Sequence, residues 1–142
     1  MAHVRPFNPA VLMPFTPYIA LHPFRGKCWK HMLLVPLYQV PLGNEEQRTD
    51  IFDARDQHML DRMLAEHLGG YTKENRENAP LFVGIGRRGM ELEQNIHAFY
   101  LLYTRRSRRA WRYMVTLQRE LQGCTGEEQI FLEQTDAFIA PP

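Results

Sequence analysis

Arginines dominate one short stretch of the chain. Six of them fall between residues 105 and 119 with no acidic residue among them, and four flank the start of a predicted helix. Positive charge opposes the helix dipole there, but the free N–H groups of a helix start attract anions. We therefore predict a ligand- or anion-binding site built from Arg105, Arg106, Arg108, Arg109 and Arg112. A solvated face, or ion pairs with Asp53, Asp56 and Asp61 or with a second copy of the chain, is the alternative.

A second group of candidate residues lies on a predicted strand. If residues 90–104 are extended, the side chains of Glu91, Glu93 and His97 project from one face of a sheet. An imidazole beside two carboxylates can bind a metal ion or transfer protons. Alternating polar residues on a solvent-facing strand give the same pattern. The chain contains no G-x-S-x-G, H-E-x-x-H or P-loop lysine motif, so we assign no catalytic residue, no metal and no cofactor.

The segment Gly84–Gly89 matches the pattern G-x-G-x-x-G and follows a strand-like run. In a dinucleotide site this motif opens a helix, and an acidic residue follows about 20 positions later. Here the next residues favour a strand, and Arg108 and Arg109 stand at about that distance. We therefore interpret the motif as a glycine-rich hairpin turn between two strands.

Composition limits the class of protein. The 142 residues are 44% hydrophobic and 23% charged with a net charge of +1, as in one soluble globular domain without a global affinity for nucleic acid. Cys28 and Cys124 lack metal-site spacing, which favours reduced, buried thiols in the cytoplasm, although a bridge between them stays open. No apolar run reaches the length of a membrane span, and the proline-broken N-terminus is a poor signal peptide.

The elements that must position these residues follow the order β-α-β-β-α-β. Their predicted bounds are Met32–Leu42, Asp50–Leu68, Ala79–Ile85, Met90–Thr104, Ser107–Gln122 and Gln129–Ile139. This order predicts an α+β, ferredoxin-like fold, with an antiparallel sheet and two helices on one face. Residues 90–104 also fit a helical stripe, but a strand is favoured because Arg87-Arg88-Gly89 is typical of a hairpin turn.

Local signals predict where the elements end or bend. Thr49 or Asp50 is expected to cap the first helix and Gly69-Gly70 to end it, as a left-handed cap does. Ser107 is expected to cap the second helix, which Gly123 would end. Because proline has no N–H, prolines 36 and 41 indicate an edge position or a bulge in the first strand.

The first thirty residues differ from the rest of the chain. They hold five of the ten prolines, interleaved with aromatic residues. Because proline fixes φ and removes a backbone donor, we predict an extended arm over residues 1–30, before a domain of residues 31–142. The aromatic residues indicate that the arm lies on the domain or on a neighbouring subunit, and a disordered leader is the alternative.

Several short features resemble those of a known group of proteins. They are the helix end Gly69-Gly70-Tyr71-Thr72, the glycine turn, the long third strand and the final run Glu128–Glu133. Over residues 31–139 the chain resembles small uncharacterised bacterial ferredoxin-like proteins, often encoded on mobile elements or gene cassettes. The resemblance implies the fold and a homodimer formed through the sheet, and it carries no catalytic residue.

These observations leave two main hypotheses for the function. The first is a dimeric binding module for a small anionic or amphipathic ligand, held between sheet and arm or between subunits. The second is a nucleic-acid-binding accessory protein that uses the arginines of residues 105–119. An enzyme built around His97, Glu93 and Tyr100 has the least support.

Overall fold

The computed structural model describes residues 5–21, 26–41, 43, 46–74, 82–85 and 92–139. A 3₁₀ helix spans Pro9–Phe15, and two α-helices span Ala54–Leu68 (α1) and Arg108–Thr125 (α2). The strands are Gly26–Pro41 (β1), Thr49–Asp50 (β2), Thr72–Glu74 (β3), Phe82–Ile85 (β4), Leu92–Thr104 (β5) and Leu132–Ile139 (β6). The predicted α+β class is confirmed. Neither α1 nor α2 is long and apolar enough to cross a membrane.

Two long strands form the centre of an antiparallel sheet. β1 pairs with β5 along nearly its whole length, with Leu33 opposite Tyr100. On the other edge of β1, β6 pairs with its first half and β2 with its second half, while β3 and β4 pair with the other edge of β5. The strand predicted over residues 90–104 is therefore present from Leu92 onward. The β1–β5 register shifts between Pro36 and Tyr38, which is the irregularity that a proline without an N–H predicts.

One face of the sheet belongs to the core. Alternate residues of β1 and β5, among them Leu33, Val35 and Leu102, are fully buried. They form one hydrophobic cluster with the buried side chains of α1, α2 and the 3₁₀ helix. The residues between them face the other way and are only partly buried; these are Met32, Leu34, Phe99, Leu101 and Tyr103. The sheet therefore has one covered face and one partly exposed apolar face.

The helix ends agree in part with the sequence. Gly69 (φ 79°) is the left-handed cap of α1, and Ser107 caps α2. The cap of α1 is Asp53, however, and not Thr49 or Asp50. The predicted start was wrong because the backbone N–H groups of Ile51 and Phe52 donate to the Leu37 carbonyl. Because those hydrogen bonds hold Ile51 and Phe52 against β1, the helix begins only after them, at Ala54.

The end of α2 lies beyond the predicted residue. Gly123 is helical, and the helix continues to Thr125 and ends at Gly126, whose φ is 75°. The guanidinium of Arg5 packs against Gly123, where an added Cβ would lie 2.3 Å from Nη2. Gly123 therefore provides space for Arg5 and does not end the helix.

The N-terminal residues pack on the domain. Phe7, Leu12 and Ile19 are buried, and the Phe7 ring meets Phe52 edge to face at 6.1 Å. In place of a wholly extended arm, Pro9–Phe15 form a 3₁₀ helix, which suits a proline at its first position because no N–H donor is needed there. β1 also begins at Gly26, inside the predicted arm.

Candidate functional site

Two of the five predicted site arginines, Arg105 and Arg106, contact other parts of the fold and do not line the cleft that the other three share. The backbone N–H of Arg105 donates to the Ile19 carbonyl at 2.9 Å, and its Nε donates to the Ala20 carbonyl at 2.8 Å. Nε of Arg106 lies 3.8 Å from a carboxylate oxygen of Asp136 on β6. Arg105 therefore ties the N-terminal segment to the connection between β5 and α2, and Arg106 faces the edge strand β6.

The other three line a cleft between α2 and the 3₁₀ helix. Arg108, Arg109 and Arg112 lie opposite Pro14 and Phe15 around a volume of about 320 Å³. All three arginines are exposed. Within the part of the chain that the structure describes, no carboxylate lies within 4.0 Å of their guanidinium groups.

Helix geometry explains why these three residues converge. Arg108 and Arg112 are four residues apart and therefore lie on the same side of α2, while Nη1 of Arg109 turns toward the Pro17 carbonyl at 3.3 Å. The first turn of α2 contains no acidic residue, and its first N–H groups have no acceptor within the helix. The cleft is therefore strongly positive on the α2 side and apolar on the side of Pro14 and Phe15.

Asp61, one of the carboxylates considered as a partner for the arginines, is occupied elsewhere. One of its oxygens accepts from the Tyr100 hydroxyl at 2.5 Å, and the other lies 2.9 Å from Nζ of Lys73. Burial, together with the nearby Asp61 carboxylate, raises the pKa of Tyr71 to about 12. These contacts join α1, β3 and β5, so the Asp61 carboxylate is engaged within the fold and does not pair with the clustered arginines.

Only one of the three sheet-face candidates, His97, has a described side chain. His97 lies on the partly exposed face, and burial lowers the pKa of its imidazole. Glu93 lies in β5 opposite Pro41, but its side chain and the whole of Glu91 are outside the described residues. No group of three His, Cys, Asp or Glu residues in the described ranges could hold a metal ion.

The glycine motif lies mostly outside the described residues, which omit 86–91. Its first glycine, Gly84, lies in β4, and β4 pairs in antiparallel orientation with β5, which begins at Leu92. A dinucleotide motif would instead open a helix. The interpretation as a link between two strands is therefore consistent with the strands on either side.

The two cysteines are free and buried. Desolvation is the main reason that the pKa of the Cys124 thiol rises to about 12. A thiol of this kind is a poor nucleophile because little thiolate forms near neutral pH. Because both thiols are free, the disulfide between Cys28 and Cys124 that the sequence left open is not present in the structure.

Sequence reasoning missed the contact that positions the apolar wall of the cleft. The Arg5 guanidinium binds both carboxylate oxygens of Glu120, at 2.6 and 2.8 Å, and the Asn8 N–H donates to the same carboxylate at 2.8 Å. Glu120 is only 6% exposed. The sequence did contain a signal for this contact. Glu120 stands within the apolar stripe of α2, and a carboxylate buried there needs a hydrogen-bonding partner. This contact anchors the segment that carries Pro14 and Phe15.

No protein-family model, curated protein or solved structure matches the chain. The geometry of the cleft therefore carries the functional argument.

Proposed function

We propose that the protein is a binding module for a small anionic or amphipathic ligand that occupies the cleft between α2 and the 3₁₀ helix. The observation that carries this proposal is the convergence of Arg108, Arg109 and Arg112 on a cleft whose opposite wall is Pro14 and Phe15. Guanidinium groups bind phosphate and carboxylate through two parallel hydrogen bonds. The apolar wall suits the uncharged part of such a ligand.

The size of the cleft favours a small ligand. Its volume of about 320 Å³ lies at the lower end of the range for small-molecule pockets. The described residues around it include neither a nucleophile with an adjacent base nor a metal-binding group. We therefore propose that the cleft binds its ligand, and we assign it no chemical step.

The test is phosphate binding with a matched pair of variants. Arg112→Ala should weaken the binding of inorganic phosphate by roughly ten-fold or more, because each charge-assisted hydrogen bond contributes about 1.5–3 kcal/mol. Arg119→Ala should leave it unchanged, since Arg119 is exposed on the same helix but does not line the cleft. Isothermal titration calorimetry at low salt measures both. Equal affinities for the two variants and the unaltered protein would reject the cleft as the site.

A nucleic-acid-binding accessory protein is the second candidate. It is supported by the exposure of Arg119 and of Trp111, which is 44% exposed, on the same helix as the cleft arginines. An exposed aromatic ring among arginines can stack on bases while the arginines contact phosphates. In that case oligonucleotide affinity falls steeply with salt, and Arg119→Ala weakens it as much as Arg112→Ala does. A salt-insensitive or undetectable interaction would exclude this candidate.

The finer architecture is also part of the proposal. We infer a ferredoxin-like arrangement, akin to that of the small bacterial proteins that the chain resembles. It is supported by the spatial order of the strands in the sheet, which is β6-β1-β5-β4. Along the chain, α1 comes between β1 and β4, and α2 comes between β5 and β6. We further propose that the partly exposed apolar face of the sheet pairs two copies of the chain in the cytoplasm.

A further inference from the structure

Tyr18 has an unusual backbone conformation. Its φ is 65°, and it is the only residue other than glycine with a positive φ in the described part of the chain. For a bulky side chain this left-handed region is strained, because Cβ approaches the following carbonyl oxygen. Glycine would adopt the same conformation without that strain.

Nothing within the described fold accounts for a tyrosine at this position. Its side chain is 79% exposed, more than any other large hydrophobic residue of the described ranges. Its hydroxyl has no hydrogen-bond partner among those residues. The tyrosine side chain therefore adds strain without adding packing, a combination that points to a role outside the fold.

Hydrogen bonds on both sides of Tyr18 join the backbone to two of the clustered arginines, one of which lines the cleft. The carbonyl before it, that of Pro17, accepts from Arg109, and the carbonyl after it, that of Ile19, accepts from the Arg105 N–H. Phe15, which lines the cleft, is three residues away, so the two Cα atoms are at most about 11 Å apart. The backbone on one side of Tyr18 is thus bonded to Arg109, which lines the cleft, and on the other side to Arg105, which precedes α2, while the aromatic ring is exposed.

We propose that Tyr18 contacts the ligand and that the ligand is an anion carrying a planar aromatic ring. This inference rests on the proposed function of the cleft and specifies its ligand class. The arginines hold the anionic group, a phosphate or a carboxylate, and the ring stacks on Tyr18 above the apolar wall formed by Pro14 and Phe15. Aromatic rings prefer such offset or edge-to-face contacts.

The experiment compares phenyl phosphate with inorganic phosphate by isothermal titration calorimetry. The unaltered protein should bind phenyl phosphate roughly ten-fold more tightly, in line with the strength of stacking on one aromatic side chain. Tyr18→Gly should abolish this preference and leave the affinity for inorganic phosphate unchanged, and Tyr18→Phe should retain the preference. Tyr18→Gly should also raise the urea midpoint of unfolding, since it removes the backbone strain.

Each other outcome contradicts a defined part of the argument. If the unaltered protein binds both phosphates equally, or Tyr18→Gly keeps the preference, the aromatic ligand is excluded while the anion cleft stands. A lower urea midpoint for Tyr18→Gly would show that Tyr18 serves the fold. If neither phosphate binds, both the cleft function and this inference fail. If the protein binds single-stranded oligonucleotides tightly and neither phosphate, and if Tyr18→Gly and Arg119→Ala both weaken that binding, the ligand is nucleic acid and not a small molecule.

Discussion

A single histidine in the core makes the fold sensitive to acid. His31 is fully buried, and its Nε2 lies 2.8 Å from the Thr104 hydroxyl. Its other ring nitrogen, Nδ1, has no hydrogen-bond partner among the described residues, and neither has Oε1 of Gln134, its register partner on β6. Burial lowers the pKa of His31 from 6.5 to about 4. The neutral imidazole is therefore the form that the folded state accommodates.

The pH dependence follows from that difference in pKa. Because the unfolded chain takes up the proton first, stability should fall as the pH drops below 6.5, and the loss should level off below about 4. The expected contribution is about 3 kcal/mol of the free energy of unfolding. Urea titrations at pH 7 and pH 4 should show a smaller change for His31→Gln than for the unaltered protein. Equal changes in the two proteins would show that His31 is not responsible.

The buried carboxylate of Glu120 offers a second test on single residues. Arg5→Ala leaves this charge in the core with only the Asn8 N–H, which should cost about 2 kcal/mol, a value reduced because Arg5 itself is 43% exposed. Adding Glu120→Gln to that variant should recover part of the loss, because the unpaired charge is then gone. Urea denaturation measures both effects.

The exposed pair Arg62–Glu66 is the control for this ion pair. Both of its side chains are largely exposed, so Glu66→Gln should change stability by no more than about 0.5 kcal/mol. If Arg5→Ala is as mild as this control, the Arg5–Glu120 contact does not hold the N-terminal segment.

At the scale of elements, the 3₁₀ helix both completes the core and forms one wall of the cleft. Leu12 on its inner side is fully buried, whereas the next residue, Met13, is 56% exposed. Pro14 and Phe15 follow directly and line the cleft. Folding of this segment and formation of the cleft are therefore linked.

Two neighbouring substitutions test that link. Leu12→Ala should lower the free energy of unfolding by about 3 kcal/mol, because it leaves a cavity in the core. It should also weaken phosphate binding, since Pro14 and Phe15 lose their anchor. Met13→Ala should change neither quantity appreciably, as expected for a surface substitution. Chemical denaturation and calorimetry on the same two variants measure both. Equal effects of the two would contradict the inward packing of this helix.

At the scale of the whole molecule, the charge is nearly balanced, with a net charge of +1, while the cleft concentrates positive charge. The covered face of the sheet belongs to the core, and the opposite face keeps apolar side chains partly exposed. Association of two copies would remove this apolar surface from water. The cleft arginines and the apolar face are thus two separate surfaces, which we propose for the ligand and for a second copy of the chain.

The oligomeric state can be measured directly by native mass spectrometry of freshly purified protein. We expect a dimer that carries extra small-molecule mass, and Leu34→Glu on the apolar face should convert it to a monomer that still binds phosphate. A monomeric unaltered protein would contradict pairing through the sheet. If the Leu34→Glu variant remains a dimer, the interface between the two copies lies on another surface.

Features that depend on neighbouring residues could be predicted from the amino-acid sequence. Hydrophobic periodicity identified both α-helices, and the turn signal before residues 90–104 favoured the long strand β5 over a helix. Gly69 and Ser107 marked helix ends through local backbone chemistry. Pro36 within β1 correctly indicated a bulge, seen as the register shift between Pro36 and Tyr38. Such signals are readable because their cause lies within a few residues of the chain.

Features that depend on residues distant in sequence became visible only in the folded chain. The start of α1 moved to Asp53 because Leu37 binds the preceding residues, and Gly123 stayed helical beside Arg5. The arginine cluster was visible in the sequence, but its division into structural and cleft residues was not. That division depends on the N-terminal segment, which packs against α2 about ninety residues away in the chain. No local pattern encodes a contact of this separation, because it arises from packing in three dimensions.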